Sequence, residues 1–274
     1  MKIVSFNVNG LRSRLHQLEA VVAAYSPDII GLQEIKVRDE EFPLAAVEAL
    51  GYRVSFHGQK THYGVALMYR KAPLRVELGL PGDGPEAARR FISGLFEMED
   101  GRTLRVINGY FPQGENRGHA VKFPAKEKFY GDVADYLRTQ CDPEQPLALM
   151  GDFNVAPLDG DIGIGADNAK RWLKSGKTCF LPEEREWFQR FADWGLYDSY
   201  REKYPQVNDR FSWFDYRSRG FEGEPKRGLR IDHILVNRPL VESCLDAGID
   251  YTIRGMEKPS DHCPVWVELD CRTA

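Results

Sequence analysis

Five separated stretches put side chains able to hold a metal or a phosphate at the ends of expected β-strands. They are Phe6-Asn7-Val8-Asn9, Leu32-Gln33-Glu34, Gly151-Asp152-Phe153-Asn154, Leu229-Arg230-Ile231-Asp232-His233 and Pro259-Ser260-Asp261-His262. The inventory is carboxylates, carboxamides and histidine, with no serine or cysteine nucleophile motif. Hard oxygen donors suit Mg²⁺ or Mn²⁺, and a divalent ion beside a carboxylate–histidine pair can split a phosphodiester. Singly, each stretch has an ordinary explanation. Gly-Asp-Phe-Asn reads as a turn after a buried strand, Asn7 and Asn9 before Gly10 build a turn, and Glu34 is a first solvated residue. Asp232 pairs with an arginine, and Ser260-Asp261-His262 makes a cap-like turn. Their joint occurrence at strand ends points to a metal-dependent phosphodiesterase. Tyr110, just before Pro112-Gln113-Gly114, reads equally as a buried aromatic or as a hydroxyl on the same edge as the acids.

The elements that must position these groups follow from periodicity. Residues 3–9 alternate, with Val4, Phe6 and Val8 on one face and Ile3, Ser5, Asn7 and Asn9 on the other. Leu15, Leu18, Val22 and Tyr25 recur at helical spacing until Ser26-Pro27. Residues 28–34 and 147–153 are near-continuous apolar runs, as in strands covered on both faces. Further strands are expected at 52–57, 64–70, 91–98, 104–111, 230–236 and 263–269, and helices near 125–140 and from Pro182 to Gly195. Asn7, Glu34, Asp152 and Asn154 end their strands, whereas Asp232 and His262 begin theirs. All six can meet only where a strand's start lies beside its neighbour's end, in mixed or antiparallel sheets. About ten strands against three or four helices predict an α+β fold: a four-layer sandwich of two mixed sheets with helices outside.

The chain has 274 residues, 42% of them apolar, and no spacer or tandem repeat divides it, so one domain over 1–274 is expected. No apolar run approaches the roughly 20 residues that cross a bilayer. Five scattered cysteines without a CxxC, and an N-terminus that enters a strand at once, predict free thiols and a cytoplasmic protein. The net charge of −4 speaks against nucleic acid, but its distribution does not. Lys170, Arg171, Lys174 and Lys177 cluster, and Arg210, Arg217, Arg219, Lys226, Arg227 and Arg230 are interleaved with Phe211, Trp213, Phe214, Tyr216 and Phe221. Such a loop can track phosphates and pack on sugars or bases. His16, His57, His62, His119 and His233 stand outside the strand-end set and read as surface or packing residues.

These residues resemble the exonuclease III family of AP endonucleases, its bacterial branch in particular, within the endonuclease/exonuclease/phosphatase superfamily. The likeness runs from Lys2 to about Leu269 and includes Gly31-Leu32-Gln33-Glu34, Gly109-Tyr110-Phe111-Pro112-Gln113-Gly114, Lys122-Phe123-Pro124-Ala125-Lys126 and Asp161-Ile162-Gly163-Ile164-Gly165. Later stretches are Phe180-Leu181-Pro182-Glu183-Glu184-Arg185-Glu186-Trp187, Arg210-Phe211-Ser212-Trp213-Phe214-Asp215-Tyr216-Arg217 and Glu257-Lys258-Pro259-Ser260-Asp261-His262. The resemblance implies an Mg²⁺ enzyme, with Mn²⁺ substituting, that acts as a monomer on duplex DNA with abasic sites or 3′ ends. It would incise 5′ to the lesion, degrade 3′ to 5′ and remove 3′-blocking groups. The resemblance makes Glu34 the principal metal ligand, with Asn7, Asp152, Asn154, Asp261 and His262 in or beside the metal set. Asp152 would handle the proton of water or leaving oxygen, Asn154 and Tyr110 would hold the phosphate, and His262, paired with Asp232, would be a base or a charged clamp. Phe211 and Trp213 would wall a flipped-out abasic sugar, and Arg90, Lys122, Lys177 and Arg217 would contact phosphates. Two departures stand out: Asn116-Arg117-Gly118-His119-Ala120-Val121 in place of a more usual Ser-Arg-Asp-His-Pro-Ile, and His233 where an apolar residue is common. The competing readings are a nonspecific deoxyribonuclease or a phosphoinositide phosphatase of the same superfamily, and a noncatalytic DNA-binding protein.

Overall fold

A computed structural model describes residues 1–274. Twelve strands form two six-stranded sheets. The first has the order β11 (Cys244–Ile249), β12 (Val265–Leu269), β1 (Lys2–Asn7), β2 (Ile29–Gln33), β4 (Val65–Tyr69), β3 (Arg53–His57). The second runs β5 (Arg75–Leu78), β6 (Phe91–Glu97), β7 (Thr103–Tyr110), β8 (Leu147–Asp152), β10 (Asp232–Asn237), β9 (Leu196–Asp198). Only β1–β2 and β7–β8 are parallel; every other pairing is antiparallel. This is the expected α+β sandwich of two mixed sheets.

The alternation in β1 explains the layering. Ile3 faces the other sheet and joins a core with Leu67, Ile92, Val106, Met150, Ile234 and Val267. Val4, Phe6 and Val8 face outward and meet Leu18 and Val21 of α1 (Leu15–Tyr25), Val47 of α2 (Leu44–Glu48) and Ile253 of α8 (Tyr251–Arg254). On the far side, Phe91, Ile107 and Leu149 pack under α3 (Lys122–Gln140) and α5 (Pro182–Trp194), which contribute Tyr130, Val133, Leu137, Trp187 and Phe191. Each apolar side chain so buried stabilises the fold by about 1.5–3 kcal/mol relative to exposure. Toward the site end the inter-sheet core turns polar: Gln33 donates to Asn108 at 2.6 Å and Ser5 at 3.0 Å, while Asn108 donates to the carbonyls of Leu32 and Ala66.

The structure corrects the element count. The three strands missed, β5, β9 and β11, all lie at sheet edges, where half-exposed residues carry no clean apolar alternation. Helices number eight. The one that matters most, α4 (Ala166–Ser175), fully buries no residue, and its half-buried Ala169 and Trp172 stand in sequence within a run of positive charge.

Candidate active site

Register brings the separated groups together. The end of β7 pairs in parallel with the end of β8, setting Tyr110 beside Asp152, and antiparallel β10 sets its first residue, Asp232, on the other side of Asp152. In the facing sheet, Asn7 lies opposite Gln33, with Glu34 next in the chain. The Asn7 amide nitrogen spans the gap, donating to Glu34 Oε1 and to Asp152 Oδ2, both at 2.9 Å. Gly151 lets the second sheet close up there, because a Cβ at that position would lie 1.8 Å from the Gly109 carbonyl oxygen. Asn9, Glu34, Lys36 and Asn154 all adopt left-handed backbone, at φ 45°, 51°, 55° and 53°. Each costs on the order of 1–3 kcal/mol, tolerated where the surroundings over-determine the geometry.

Those surroundings are hydrogen bonds. The Asn154 N–H donates to Asp152 Oδ1 at 2.9 Å and its amide nitrogen to the Phe111 carbonyl at 3.0 Å. Lys36 Nζ lies 2.8 Å from Glu34 Oε2 and donates to Asn9 Oδ1 at 2.5 Å. Asn9 in turn donates to Asp261 Oδ1 at 2.8 Å, and the Trp213 indole N–H to Asp261 Oδ2 at 3.0 Å. His262 Nδ1 sits 2.9 Å from Asp232 Oδ2, and Nε2 sits 3.8 Å from Asp152 Oδ2. The Ser212 hydroxyl accepts the N–H groups of Ile231 and Asp232, fixing the acid behind the imidazole.

Burial sets the protonation of this cluster. For Asp152 it disfavours the charged form, and the Asp232 and Glu34 charges add to it, so its pKa is raised despite His262 and the Asn7 hydrogen bond. For His262 burial acts downward, but Asp232, Asp152 and Asp261 outweigh it and the pKa is raised, so the ring is an imidazolium near neutral pH. Burial, with the charges of Glu34 and Asp152, holds the Tyr110 phenol well above its usual range, leaving it a neutral donor.

A cavity of about 360 Å³ opens onto the cluster and is lined by Glu34, Tyr110, Asp152, Asn154, Trp213, Asp261 and His262. Ligand atoms of Glu34, Asp152 and His262 lie within 4.8 Å of one another. The two carboxylates are hard donors and fit a divalent ion. One expected ligand fits less well: Asn7 turns its nitrogen, not its oxygen, to the acids and acts as a brace.

Lys177 and Arg217 border this cavity, and an adjoining hollow of about 460 Å³ holds Arg90 and Lys122. The Arg90 guanidinium lies between the rings of Tyr63 and Tyr110, 4.3 and 4.6 Å from their centroids, and donates to the Tyr110 carbonyl. Lys122 is exposed and pairs with Glu115. Phe211 overturns its expectation: it is 2% exposed and packs with Phe214 and Cys263 rather than lining the cavity. Trp213, two residues on, takes that position. His233 packs its ring between Phe153 and Phe188, with Nε2 2.9 Å from the Val155 carbonyl, but it also has partners not expected of it: Nδ1 lies 3.3 Å from Asp198 Oδ2 and 3.0 Å from the Arg230 guanidinium. It lies on the opposite face of β10 from Asp232 and leaves the Asp232–His262 pair untouched.

The sequence reading missed Gln113, Trp172, Cys179, Asp215 and Ile231 in the lining. Trp172 alone carried a signal, an aromatic within the basic run 170–177, where Lys177 Nζ lies 3.6 Å from its ring centroid. The departing segment 116–121 is tied down locally. Arg117 pairs with Glu183 at 2.5 Å, and His119 Nδ1 accepts the N–H groups of Val121 and Lys122 at the start of α3.

The sequence model of the Endonuclease/Exonuclease/phosphatase family matches residues 4–262. The chain belongs to this family. Among its relatives, the exodeoxyribonuclease III of Haemophilus influenzae is 58% identical over 269 residues, covering 98% of this chain and 100% of that one. The 3′ phosphatase NExo of Neisseria, solved with a product DNA hairpin, superposes with a TM-score of 0.88 at 38% identity, over 98% of this chain and 99% of that one. An AP endonuclease from Archaeoglobus fulgidus superposes with a TM-score of 0.88 at 33% identity, again over 98% and 99%. Like other members of the endonuclease/exonuclease/phosphatase family, the chain is a divalent-metal-dependent phosphoester hydrolase, and its relatives make it a nuclease.

Proposed function

We infer that this chain is a DNA repair nuclease that incises duplex DNA 5′ to abasic sites, digests strands 3′ to 5′ and clears blocked 3′ ends, with Mg²⁺ as its metal and Mn²⁺ as a substitute. The observation that carries this is the grouping of Glu34, Asp152 and His262, with ligand atoms within 4.8 Å of one another, opening into a cavity bounded by Trp213 and by basic side chains on both flanks.

A divalent ion held by Glu34 and Asp152 would neutralise charge developing on the phosphate oxygens. The protein's own groups supply the rest. Asp152, which lines the cavity beside Glu34 and His262, accepts the proton of the attacking water. His262, its pKa raised chiefly by Asp232 2.9 Å from Nδ1, acts as a cationic donor at the phosphate. The neutral Tyr110 hydroxyl donates a hydrogen bond to a phosphate oxygen, and Asn154, which lines the same cavity, orients that group. An abasic nucleotide has no base to unstack, so it enters an aromatic-walled cavity at low cost. Trp213 forms that wall, with its indole held by Asp261. Arg90 and Lys122 on one flank, Lys177 and Arg217 on the other, suit the phosphates on either side of the lesion. The protein acts as a monomer in this scheme, and no helix is long and apolar enough to cross a membrane. A cytosolic site of action fits its free thiols.

The test offers one preparation an abasic duplex, a duplex ending in a 3′ phosphate and a soluble inositol phosphate. Cleavage of the first two and not the third is expected. Hydrolysis of the inositol phosphate with both duplexes intact would replace this reading with a phosphatase of another substrate class.

A further inference from the structure

Lys126 and Glu184 form an ion pair of 2.5 Å in which neither side chain has any exposure. A buried pair is costly to desolvate and adds little net stability over well-packed apolar residues. What sets this one apart is where its remaining hydrogen bonds go. Lys126 Nζ donates to the carbonyl of Asn154 at 2.9 Å and to that of Gln113 at 3.3 Å. Glu184 Oε2 accepts the N–H groups of Cys179 and Leu181, both at 2.8 Å. Asn154, Gln113 and Cys179 line the active cavity on three separate loops. Two of them have left-handed backbone, Asn154 at φ 53° and Cys179 at φ 99°, conformations that persist only when held. One turn further along α3, the Tyr130 hydroxyl donates to the Phe153 carbonyl at 2.7 Å. Consecutive turns of one helix thus grip consecutive carbonyls of the segment that carries Asp152 and Asn154.

We propose that the Lys126–Glu184 pair positions the reaction's phosphate-orienting group. It fixes Asn154 through its carbonyl and locks the Gln113 and Cys179 loops around the same cavity. Both are positioning residues and neither touches substrate. The inference rests on the reading of Asn154 given above.

The experiment compares kcat, KM and Tm for incision of an abasic duplex by the intact chain and by Lys126→Met, Glu184→Gln, their double variant and Asn154→Ala. Lys126→Met leaves Glu184 as an unpaired buried charge, so it loses both stability and rate. The double variant removes both charges and keeps an amide oxygen for Cys179 and Leu181, so its Tm returns most of the way to wild type. Its kcat is expected to remain about ten- to a hundredfold down, as for a group displaced by a fraction of an ångström, with KM within about twofold. Recovery of kcat together with Tm would mark the pair as structural and overturn the proposal, as would a double variant that does not fold. Wild-type kcat in Asn154→Ala would instead sink the role of Asn154, whereas loss there with full kcat in a folded Lys126→Met sinks the positioning inference only.

Discussion

Replacing Asp152 by asparagine separates chemistry from scaffolding. Its Oδ2 accepts from Asn7 and its Oδ1 from the Asn154 N–H, each at 2.9 Å. An amide at this position has one oxygen, so one of those donors faces another donor, a penalty of about 1–3 kcal/mol for a buried unsatisfied group. Against this, the substitution removes a carboxylate that burial, Asp232 and Glu34 all disfavour in its charged form. The two effects oppose each other, so the melting temperature should move by only a few degrees, at about 2–4 °C per kcal/mol for chains of roughly this size. Rate is a different matter. The variant loses its proton acceptor, a contribution of about 10²–10⁴-fold, and one of two carboxylate donors to the metal. Single-turnover incision of an abasic duplex should therefore fall by at least about a hundredfold, while a gel-shift assay shows damaged-DNA binding within a few-fold of wild type. Incision within tenfold of wild type by a properly folded variant would refute Asp152 as the base. Loss of binding parallel to loss of rate would show that Asp152 holds the site together rather than performing chemistry.

Other expectations are as concrete. Arg230 is fully buried and bonds Asp161 at 2.7 Å and Asp198 at 2.7 Å. Burial would raise both carboxyl pKa values, but the Arg230 charge holds them below the ordinary range, Asp198 with help from His233. Their folded pKa values lie below the unfolded ones, so this stabilisation is full above about pH 4 and is lost as pH falls through the folded values. Arg230→Met should cost about 3–5 kcal/mol at pH 7, and denaturant melts at pH 7 and pH 3 should show the deficit shrinking in acid; an equal deficit at both would contradict the pairing. Asp232→Asn removes the leading charge that raises the His262 pKa, so the alkaline limb of the pH–rate profile should move to lower pH, and an unmoved limb rejects the imidazolium clamp. Lys177→Ala should weaken binding evenly across DNA sequences and lower the salt slope of log K by about 1, whereas Trp213→Ala should lose preference for the lesion and keep digestion of undamaged ends.

The candidate site groups were legible because the chemistry they suit demands particular residue types at strand ends. The mixed topology followed from one contrast: Asp232 begins its strand while Asp152 ends one, and the observed register sets them opposite each other. What stayed hidden depends on backbone twist or on which face a side chain takes. Phe211 and Trp213 are two residues apart in one irregular loop, and nothing in their order says that the first fills a core and the second a wall. The Lys36–Asn9–Asp261 chain depends on left-handed turns after β1 and β2 that no apolar pattern records. Helix α4 sets only Ala169 and Trp172, three apart, against the small core of Phe180, Leu229 and Ile231, a stripe so narrow that the positive charge around it is the stronger signal. Lys126 and Glu184 stood within recognised motifs, but a lysine or glutamate on a helix reads as solvated surface until its burial is seen.

The most direct measurement labels the 5′ end of a strand carrying one abasic-site analogue in a duplex, and follows it with Mg²⁺, with Mn²⁺ and with EDTA beside an undamaged control. The account predicts one metal-dependent product ending immediately 5′ to the lesion, 3′-end laddering of the control, and neither in EDTA. Cleavage that persists undiminished in EDTA, or an intact lesion strand with either metal, would contradict it.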